Sequence, residues 1–246
     1  MKQLVSFTIK AEFGMFKKPD INDKIFVTYN MIHKPYLLGI LGAIMGYGGH
    51  AQPKTVREDQ IFADYYEKLK DIKVAIAPSS SNGGIYKKEF ITFNNTTNGQ
   101  IANITEQTLI KPAYRIYLEL DSEKDKVLIE RLEKNEAVFQ PYMGKNEFTL
   151  WWDDFHLHSK FEKNEDKEKF QVKTIIKKPK NFVLKNSGYK ERTTNYFYLF
   201  ERLPIGFDEQ LKQYIYHEFL YTNAVFKDSS RLENLYKCDE GVICLF

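Results

Sequence analysis

Three short segments of the chain place lysines beside aromatic rings or a flexible glycine. Lysine ammonium groups bind RNA phosphates, and aromatic rings stack on unpaired bases. Each segment alone is also typical of a solvated surface loop, so the prediction of an RNA-binding surface depends on the three together. We predict phosphate contacts for Lys17, Lys18, Lys87, Lys88, Lys111 and Lys145, base stacking for Phe16, Tyr86 and Tyr142, and close backbone approach for Gly144.

The five histidines offer two other kinds of chemistry. His33 and His50 bracket a glycine-rich helix and could act as general bases on RNA, although no partner group is apparent for either. His156 and His158 alternate along a predicted strand and would share one face, which is half of a metal site. No third ligand lies at a useful spacing, so a polar strand face is the favoured interpretation and we predict no metal site.

Two further motifs are better explained by structure than by chemistry. Residues 46–51 fit the G-x-G-x-x-A pattern of dinucleotide-binding loops, in which the glycines follow a strand and open a helix. Here the glycines close a predicted helix, so we interpret Gly46 as its C-cap. Cys238 and Cys244 lack the spacing of a metal site or a redox pair, and we expect them to pack in the interior.

The composition limits the kind of RNA contact. The net charge of +3 over 246 residues is too small for a chain coated in nucleic acid, so any RNA must bind a local patch. The first ten residues alternate like a strand and lack the apolar core of a signal peptide. The most apolar run, residues 35–47, is too short to cross a bilayer, which takes about 20 residues. We therefore expect a cytoplasmic protein without membrane contact.

The elements that must position these residues follow a regular order. Alternating apolar residues from Val5 to Ala11 predict an opening strand. Residues 35–47 and 56–70 predict two helices, the first with a glycine stripe at Gly39, Gly42 and Gly46 that would let a neighbour approach closely. Next come a strand near residues 74–77, a polar segment with a turn at 98–99, and a strand at 113–120. A helix capped by residue 122 and a strand at 148–152 complete the order.

This order predicts an α+β fold: a ferredoxin-like domain over residues 1–150 with a long hairpin inserted between its second and third core strands. Residues 151–246 predict a smaller, β-rich C-terminal region. Within it, residues 160–169 are expected to form a solvated loop, and residues 208–219 could form a helix, which their Tyr and Ile content leaves open.

Three segments together resemble a known family. They are F-G-M-F-K-K-P-D at 13–20, P-Y-L-L-G-I-L-G-A-I-M-G-Y at 35–47, and P-Y-M-G-K-N-E-F at 141–148. The chain resembles the CRISPR-associated protein 5 family of the RAMP superfamily, whose members are components of the type I Cascade complex, and is nearest to the type I-B variant. The resemblance covers residues 1–150. Beyond them it is loose, and the best match is Y-L-F-E-R-L-P at 198–204.

The resemblance implies an RRM-like domain with a long β-hairpin thumb at residues 79–108, a role in antiviral defence and a set of partners. It implies a subunit that binds the 5′ handle of the CRISPR RNA (crRNA) and contacts the backbone subunit and the large subunit that reads the PAM. Target DNA would be met only indirectly, and no cofactor is expected. The predicted strand from Lys111 lacks the aromatic pattern of an ordinary RRM, which disfavours a general single-strand binder.

The remaining alternative is an enzyme. In type I-C systems the family member itself cuts the guide precursor with a Tyr and an adjacent Lys-His pair. The one adjacent pair in this chain, His33 and Lys34, is in the reverse order. We therefore expect a non-catalytic RNA-binding subunit, and the alternative is a metal-independent endoribonuclease that processes pre-crRNA with His33 or His50 as the base.

Overall fold

The computed structural model describes residues 1–20, 25–49, 61–97, 100–165, 169–179, 196–226 and 232–246. His50 and the predicted turn at Asn98 and Gly99 lie outside these ranges. In chain order the elements are β1 (Lys2–Ala11), β2 (Phe13–Gly14), β3 (Ile25–Phe26), α1 (Lys34–Met45), α2 (Asp64–Leu69), β4 (Lys73–Pro78), β5 (Lys88–Thr97), β6 (Gln100–Ile110), β7 (Ala113–Asp121), α3 (Lys126–Lys134), β8 (Leu150–Leu157), β9 (Phe161–Lys163), β10 (Ile176–Lys177), β11 (Tyr198–Phe207), β12 (Tyr214–Thr222), β13 (Leu235–Cys238) and β14 (Gly241–Cys244).

The predicted ferredoxin-like order is confirmed. Four antiparallel strands form the core sheet in the order β4-β7-β1-β8. The helices α1 and α2 lie in the chain between β1 and β4, and α3 lies between β7 and β8, which gives the β-α-β-β-α-β topology. The last strand of this sheet spans Leu150–Leu157, so the boundary predicted at residue 150 falls on its first residue.

Both faces of the core sheet are buried. Val5, Phe7 and Ile9 of β1 belong to the main hydrophobic core, which the helices share. Leu4 faces the other way and packs in a cluster with Ile243 of β14. The C-terminal strands β13 and β14 therefore cover the face of the sheet that the helices leave open. Burial of both faces explains why β1 is almost continuously buried.

The first helix is confirmed with slightly different bounds. It spans Lys34–Met45 and ends at Gly46, whose φ of 75° is left-handed, so the C-cap interpretation of the glycine motif is confirmed. Gly42 packs against Tyr65 of α2, where a Cβ would collide with the Tyr65 side chain. Gly42 thus lets α2 approach closely, whereas Gly46 lies against Val138. The second helix was predicted over residues 56–70, but α2 spans only Asp64–Leu69, because Ala63 is its N-cap and residues 61–63 are not helical.

The thumb is a long antiparallel hairpin inserted between β4 and β7. The strands β5 and β6 pair from Lys88↔Leu109 to Thr97↔Gln100. At its base, β6 also pairs with β2 through Phe13↔Ile110 and with β3 in parallel through Ile25↔Thr105. The sheet that carries the thumb therefore includes the segment that follows β1.

Two local predictions were wrong, and a third that the sequence left open is resolved. Ser122 does not cap α3, which begins at Lys126, because Asp121 accepts the N–H groups of Glu123 and Lys124 instead. Residues 161–163 form the strand β9, which pairs with β13, where a solvated loop was expected. The stretch 208–219 is a turn followed by strand β12, because its Tyr and Ile residues pair with β11.

The C-terminal region packs directly on the N-terminal domain. The backbone of Phe246 exchanges two hydrogen bonds with Val74 of β4, and Ile175 N–H donates to Ile76 O. Leu203 and Phe219 are buried in the main core beside the helices. In the described parts of the chain, no helix is both long and apolar enough to cross a membrane.

Candidate nucleic-acid interface

The three segments that carry the family resemblance come together on one side of the molecule. Met15 N–H donates to Met143 O over 3.0 Å, which joins the segment after β1 to the loop 141–148. The rings of Phe16 and Tyr36 lie 5.2 Å apart, which joins the same segment to α1. A hydrogen bond also links the Tyr36 hydroxyl to the backbone of Lys17. These contacts could not be inferred from the separate motifs.

An aromatic groove of about 550 Å³ lies between α1 and the segment 139–144. Its size is typical of small-molecule pockets, and flat aromatic walls suit a nucleobase. Tyr142 lies at the edge of the groove and is 46% exposed, as expected for a stacking residue. Burial raises the pKa of Tyr65 to about 12, so its hydroxyl stays neutral. The aromatic residues of the wall are Tyr36, Tyr47, Tyr65, Phe139 and Tyr142.

Two of the predicted lysines share one buried carboxylate near the thumb base. Lys18 Nζ lies 3.9 Å from Glu201 Oε1, and Lys88 interacts electrostatically with the same group. Glu201 already accepts the N–H groups of Asn30 and Met31 at 2.8 and 2.9 Å. Burial lowers the pKa of Lys88, and the charge of Lys18 adds to this effect. A phosphate beside the two ammonium groups would relieve their repulsion.

Three further lysines have partners that RNA could replace. Lys17 Nζ lies 3.5 Å above the centre of the Phe26 ring. Lys87 pairs with Glu89 at 2.6 Å and Lys111 with Glu12 at 3.9 Å, and all four side chains are exposed. Exposed ion pairs contribute only about 0–1 kcal/mol, so a phosphate can compete with these carboxylates. These lysines therefore remain candidates.

Lys145 is a correction to the predicted set. Its Nζ donates to Glu106 Oε1 at 2.8 Å and lies 2.9 Å from Glu147 Oε1. Burial lowers the pKa of Lys145, but the hydrogen bonds to these two carboxylates outweigh it and raise the pKa overall. Two negative groups around one ammonium leave no positive charge for a phosphate, so the structure gives Lys145 a role in holding the loop to the thumb.

The requirement for glycine at position 144 has a structural cause that does not involve RNA. The φ of Gly144 is +90°, and a Cβ at this position would collide with the carbonyl oxygen of Met15. Glycine is therefore required for the loop 141–148 to approach the segment after β1. The close backbone approach that the sequence predicted is real, but in this structure the neighbour is Met15.

Two predicted stacking residues are buried and leave the candidate set. Phe16 is fully buried between Tyr36 and Tyr114. Tyr86 is also buried, and its hydroxyl donates to Ala113 O and accepts the N–H of Ser79. Neither ring can stack on a base without leaving the core. Each ring directly precedes a lysine in the sequence, and adjacent residues of an extended chain point to opposite faces, so Lys17 and Lys87 can face outward while the rings are buried.

His33 is placed where it cannot meet RNA. It is buried, and within the described residues neither ring nitrogen has a hydrogen-bond partner. Burial lowers the pKa of His33 to about 3, because the charged form would be desolvated. A general base must lie within hydrogen-bond reach of the proton it removes, which this position does not allow.

Sequence reasoning missed two parts of this site. Tyr36 lies in the first turn of α1 and Tyr47 follows the Gly46 C-cap, and both line the groove. Helical periodicity does not extend past the left-handed Gly46, so the sequence carries no simple signal for this wall. Glu201 carries no signal either, because its position beside Lys18 depends on how strand β11 packs near the thumb base.

Comparisons with known proteins give low-level similarities. No family model and no curated protein matches the sequence. The chain is similar to a chain of a solved structure titled "CRISPR RNA-guided surveillance complex", with 12% identity, coverage of 89% of this chain and 90% of that one, and a TM-score of 0.46. It is also similar to a chain of a type III-B Cmr-beta complex bound to cognate target RNA and AMPPnP, with 10% identity, coverage of 90% and 85%, and a TM-score of 0.47. A third, "CRISPR-associated Protein", has 10% identity, coverage of 95% of each chain, and a TM-score of 0.43.

Proposed function

We propose that this chain is a non-catalytic RNA-binding subunit of a type I-B-like CRISPR Cascade complex that holds the 5′ handle of the crRNA in the cytoplasm, in antiviral defence. The observation that carries the proposal is the convergence of the three family-like segments on one face. Hydrogen bonds and ring contacts through Met15, Met143 and Tyr36 join segments that are far apart in the sequence. The face combines an aromatic groove with lysines whose charge is only partly compensated.

The geometry supports separate phosphate-binding and base-stacking regions within this face. Lys17, Lys18 and Lys88 would hold the phosphate backbone near the thumb base, with Lys87 and Lys111 adding exposed charge. Tyr142 at the rim of the groove would stack on an unstacked base of the RNA. Such a combination of cationic contacts and stacking platforms is the usual way in which single-stranded RNA is held.

Exposed apolar residues support contacts with other subunits. Phe90 on the thumb is 60% exposed, and Ile91 beside it is 37% exposed. Phe200 on β11 is a further exposed ring. Large apolar groups in solvent mark interaction surfaces when they lie close together. In this proposal the thumb contacts the backbone subunit, and the C-terminal region contacts the large PAM-reading subunit. The chain meets target DNA only through these partners.

The endoribonuclease alternative receives no support from the described residues. His33, one of its two candidate bases, is buried with a strongly lowered pKa. His50, the other, lies outside the described residues. A catalytic histidine would have to reach the RNA 2′-hydroxyl or the leaving oxygen, and His33 would have to leave the core to do so.

The test is handle-RNA affinity measured against salt concentration. Lys88→Ala should remove about one phosphate contact and make the log–log slope shallower by roughly 0.7. Lys126→Ala is the matched control, since Lys126 is exposed and pairs with Glu130 on α3, in a different part of the fold. Equal slopes for the wild type and both variants would remove the thumb base from the interface.

A further inference from the structure

Two histidines and an aspartate meet where the core sheet joins the C-terminal hairpin. His156 lies in β8 and His158 directly follows it, while Asp239 lies in the turn between β13 and β14. Strand β9 pairs with β13 through Phe161↔Cys238, which brings that turn beside the end of β8. The sequence prediction that no third ligand is available is therefore wrong, because the third ligand comes from a distant hairpin.

The distances from Asp239 to the two histidines match metal coordination. His156 Nε2 lies 3.4 Å and His158 Nδ1 lies 3.6 Å from Asp239 Oδ2. One ligand atom from each residue falls within 4.8 Å of the other two. Zinc bonds to nitrogen and oxygen are about 2.0–2.2 Å, so tetrahedral ligand atoms lie roughly 3.3–3.6 Å apart. Both contacts to Asp239 are within that range, and the contact from His156 Nε2 is also a long hydrogen bond.

Ser6 connects His158 to the charged groups around it. Ser6 Oγ has one proton, which it donates either to Glu240 Oε1 at 3.1 Å or to His158 Nε2 at 2.8 Å, and it accepts from Arg115 Nη2 at 2.8 Å. When Ser6 donates to Glu240, His158 Nε2 donates to Ser6 and the lone pair of His158 is on Nδ1.

His158 Nδ1 is buried and faces a carboxylate. The His158 side chain is fully buried, and among the residues that the structure describes Nδ1 has no hydrogen-bond partner. In the tautomer with the lone pair on Nδ1, that lone pair and the Asp239 carboxylate repel each other unless a cation lies between them. A buried polar atom without a partner destabilises the fold, and a bound metal ion would remove that cost.

Neighbouring groups hold the three ligands in place, as they do in metal sites. Ser159 donates to Asp239 Oδ2 through its N–H at 2.7 Å and to Oδ1 through its hydroxyl at 3.0 Å. A bulge in β8 at Asp154, with φ of 53°, shifts the register so that His156 lies opposite Ser6. Arg115 fixes that bulge by donating to the Asp154 carbonyl oxygen at 2.6 Å.

We propose that His156, His158 and Asp239 bind one divalent transition-metal ion, with zinc the best match to two imidazoles and a carboxylate. The ion fastens the β13–β14 hairpin to the edge strand β8 of the core sheet. His156 is 49% exposed, so the fourth coordination position is open to water. This site is separate from the RNA interface and does not depend on the proposed function.

The test is zinc titration of the full-length chain by calorimetry after EDTA treatment and dialysis. The wild type should bind one Zn²⁺, and saturating Zn²⁺ at about 100 times Kd should raise Tm by roughly 5–11 °C. Co²⁺ should give the visible absorption of a tetrahedral site. His156→Ala and Asp239→Asn should each weaken binding at least tenfold, while His217→Ala, an exposed histidine on β12, should bind like the wild type.

The ligand variants avoid His158, whose loss would also disturb Ser6 and Glu240. Circular dichroism without metal checks that His156→Ala and Asp239→Asn remain folded, and the two substitutions are independent tests. No stoichiometric binding by the wild type would overturn the proposal. Binding that survives both ligand substitutions unchanged, or that is lost in His217→Ala, would overturn it as well.

Discussion

Replacing Gly144 by alanine should destabilise the protein in the absence of any RNA. A side chain in this left-handed conformation costs on the order of 1–2 kcal/mol. The new Cβ would also collide with Met15 O, so the hydrogen bond from Met15 N–H to Met143 O must open, at a further cost of about 1 kcal/mol. The sum of about 2–3 kcal/mol should lower Tm by roughly 4–12 °C.

The assay is thermal unfolding of RNA-free protein, followed by circular dichroism. Gly49→Ala is the matched control, because no described atom lies within 4 Å of a Cβ placed there. Its Tm should stay within about 2 °C of the wild type, as for most substitutions away from such features. The reasoning fails if Gly144→Ala keeps the wild-type Tm and loses only RNA affinity, since glycine would then be needed for phosphate approach.

Three further substitutions test the roles assigned to residues of the site. Lys145→Ala should cost about 1–3 kcal/mol, because Glu106 is buried and would lose its ammonium partner, and it should leave the salt slope of RNA binding unchanged. Lys111→Ala, which breaks an exposed pair with Glu12, should be nearly neutral for stability; a larger loss there than at Lys145 would contradict the assignment. His33→Leu should leave repeat RNA as uncut as the wild type does, and wild-type cleavage that the variant abolishes would establish the nuclease.

The order of core elements was predictable because it depends on local periodicity. Alternation in β1, the apolar helix α1 and its Gly46 cap each produce a signal within a few residues. The hairpin thumb was predictable for the same reason. The strand β12 was harder to predict, because its Tyr and Ile residues fit either a helix or a strand until β11 is paired beside it.

The parts of the site that depend on long-range packing were not predictable. Nothing near Phe16 or Tyr86 in the sequence shows that these rings enter the core, because lysines flank buried and exposed rings alike. The cover that β13 and β14 provide for the second face of the sheet has no local signature. Asp239 reaches His156 and His158 only through that cover, so the metal-type cluster could not have been found from spacing alone.

Photo-crosslinking tests most directly whether the face formed by the thumb base and the groove holds the crRNA handle. Handle RNA carrying 4-thiouridine is crosslinked to the full chain, and the crosslinked residues are mapped by mass spectrometry. We expect crosslinks at Tyr142 and at the lysines 17, 18 and 88, and their loss with a scrambled RNA of equal length. Crosslinks confined to α3 or to the β11–β12 hairpin, or equal crosslinking of the scrambled RNA, would contradict this assignment.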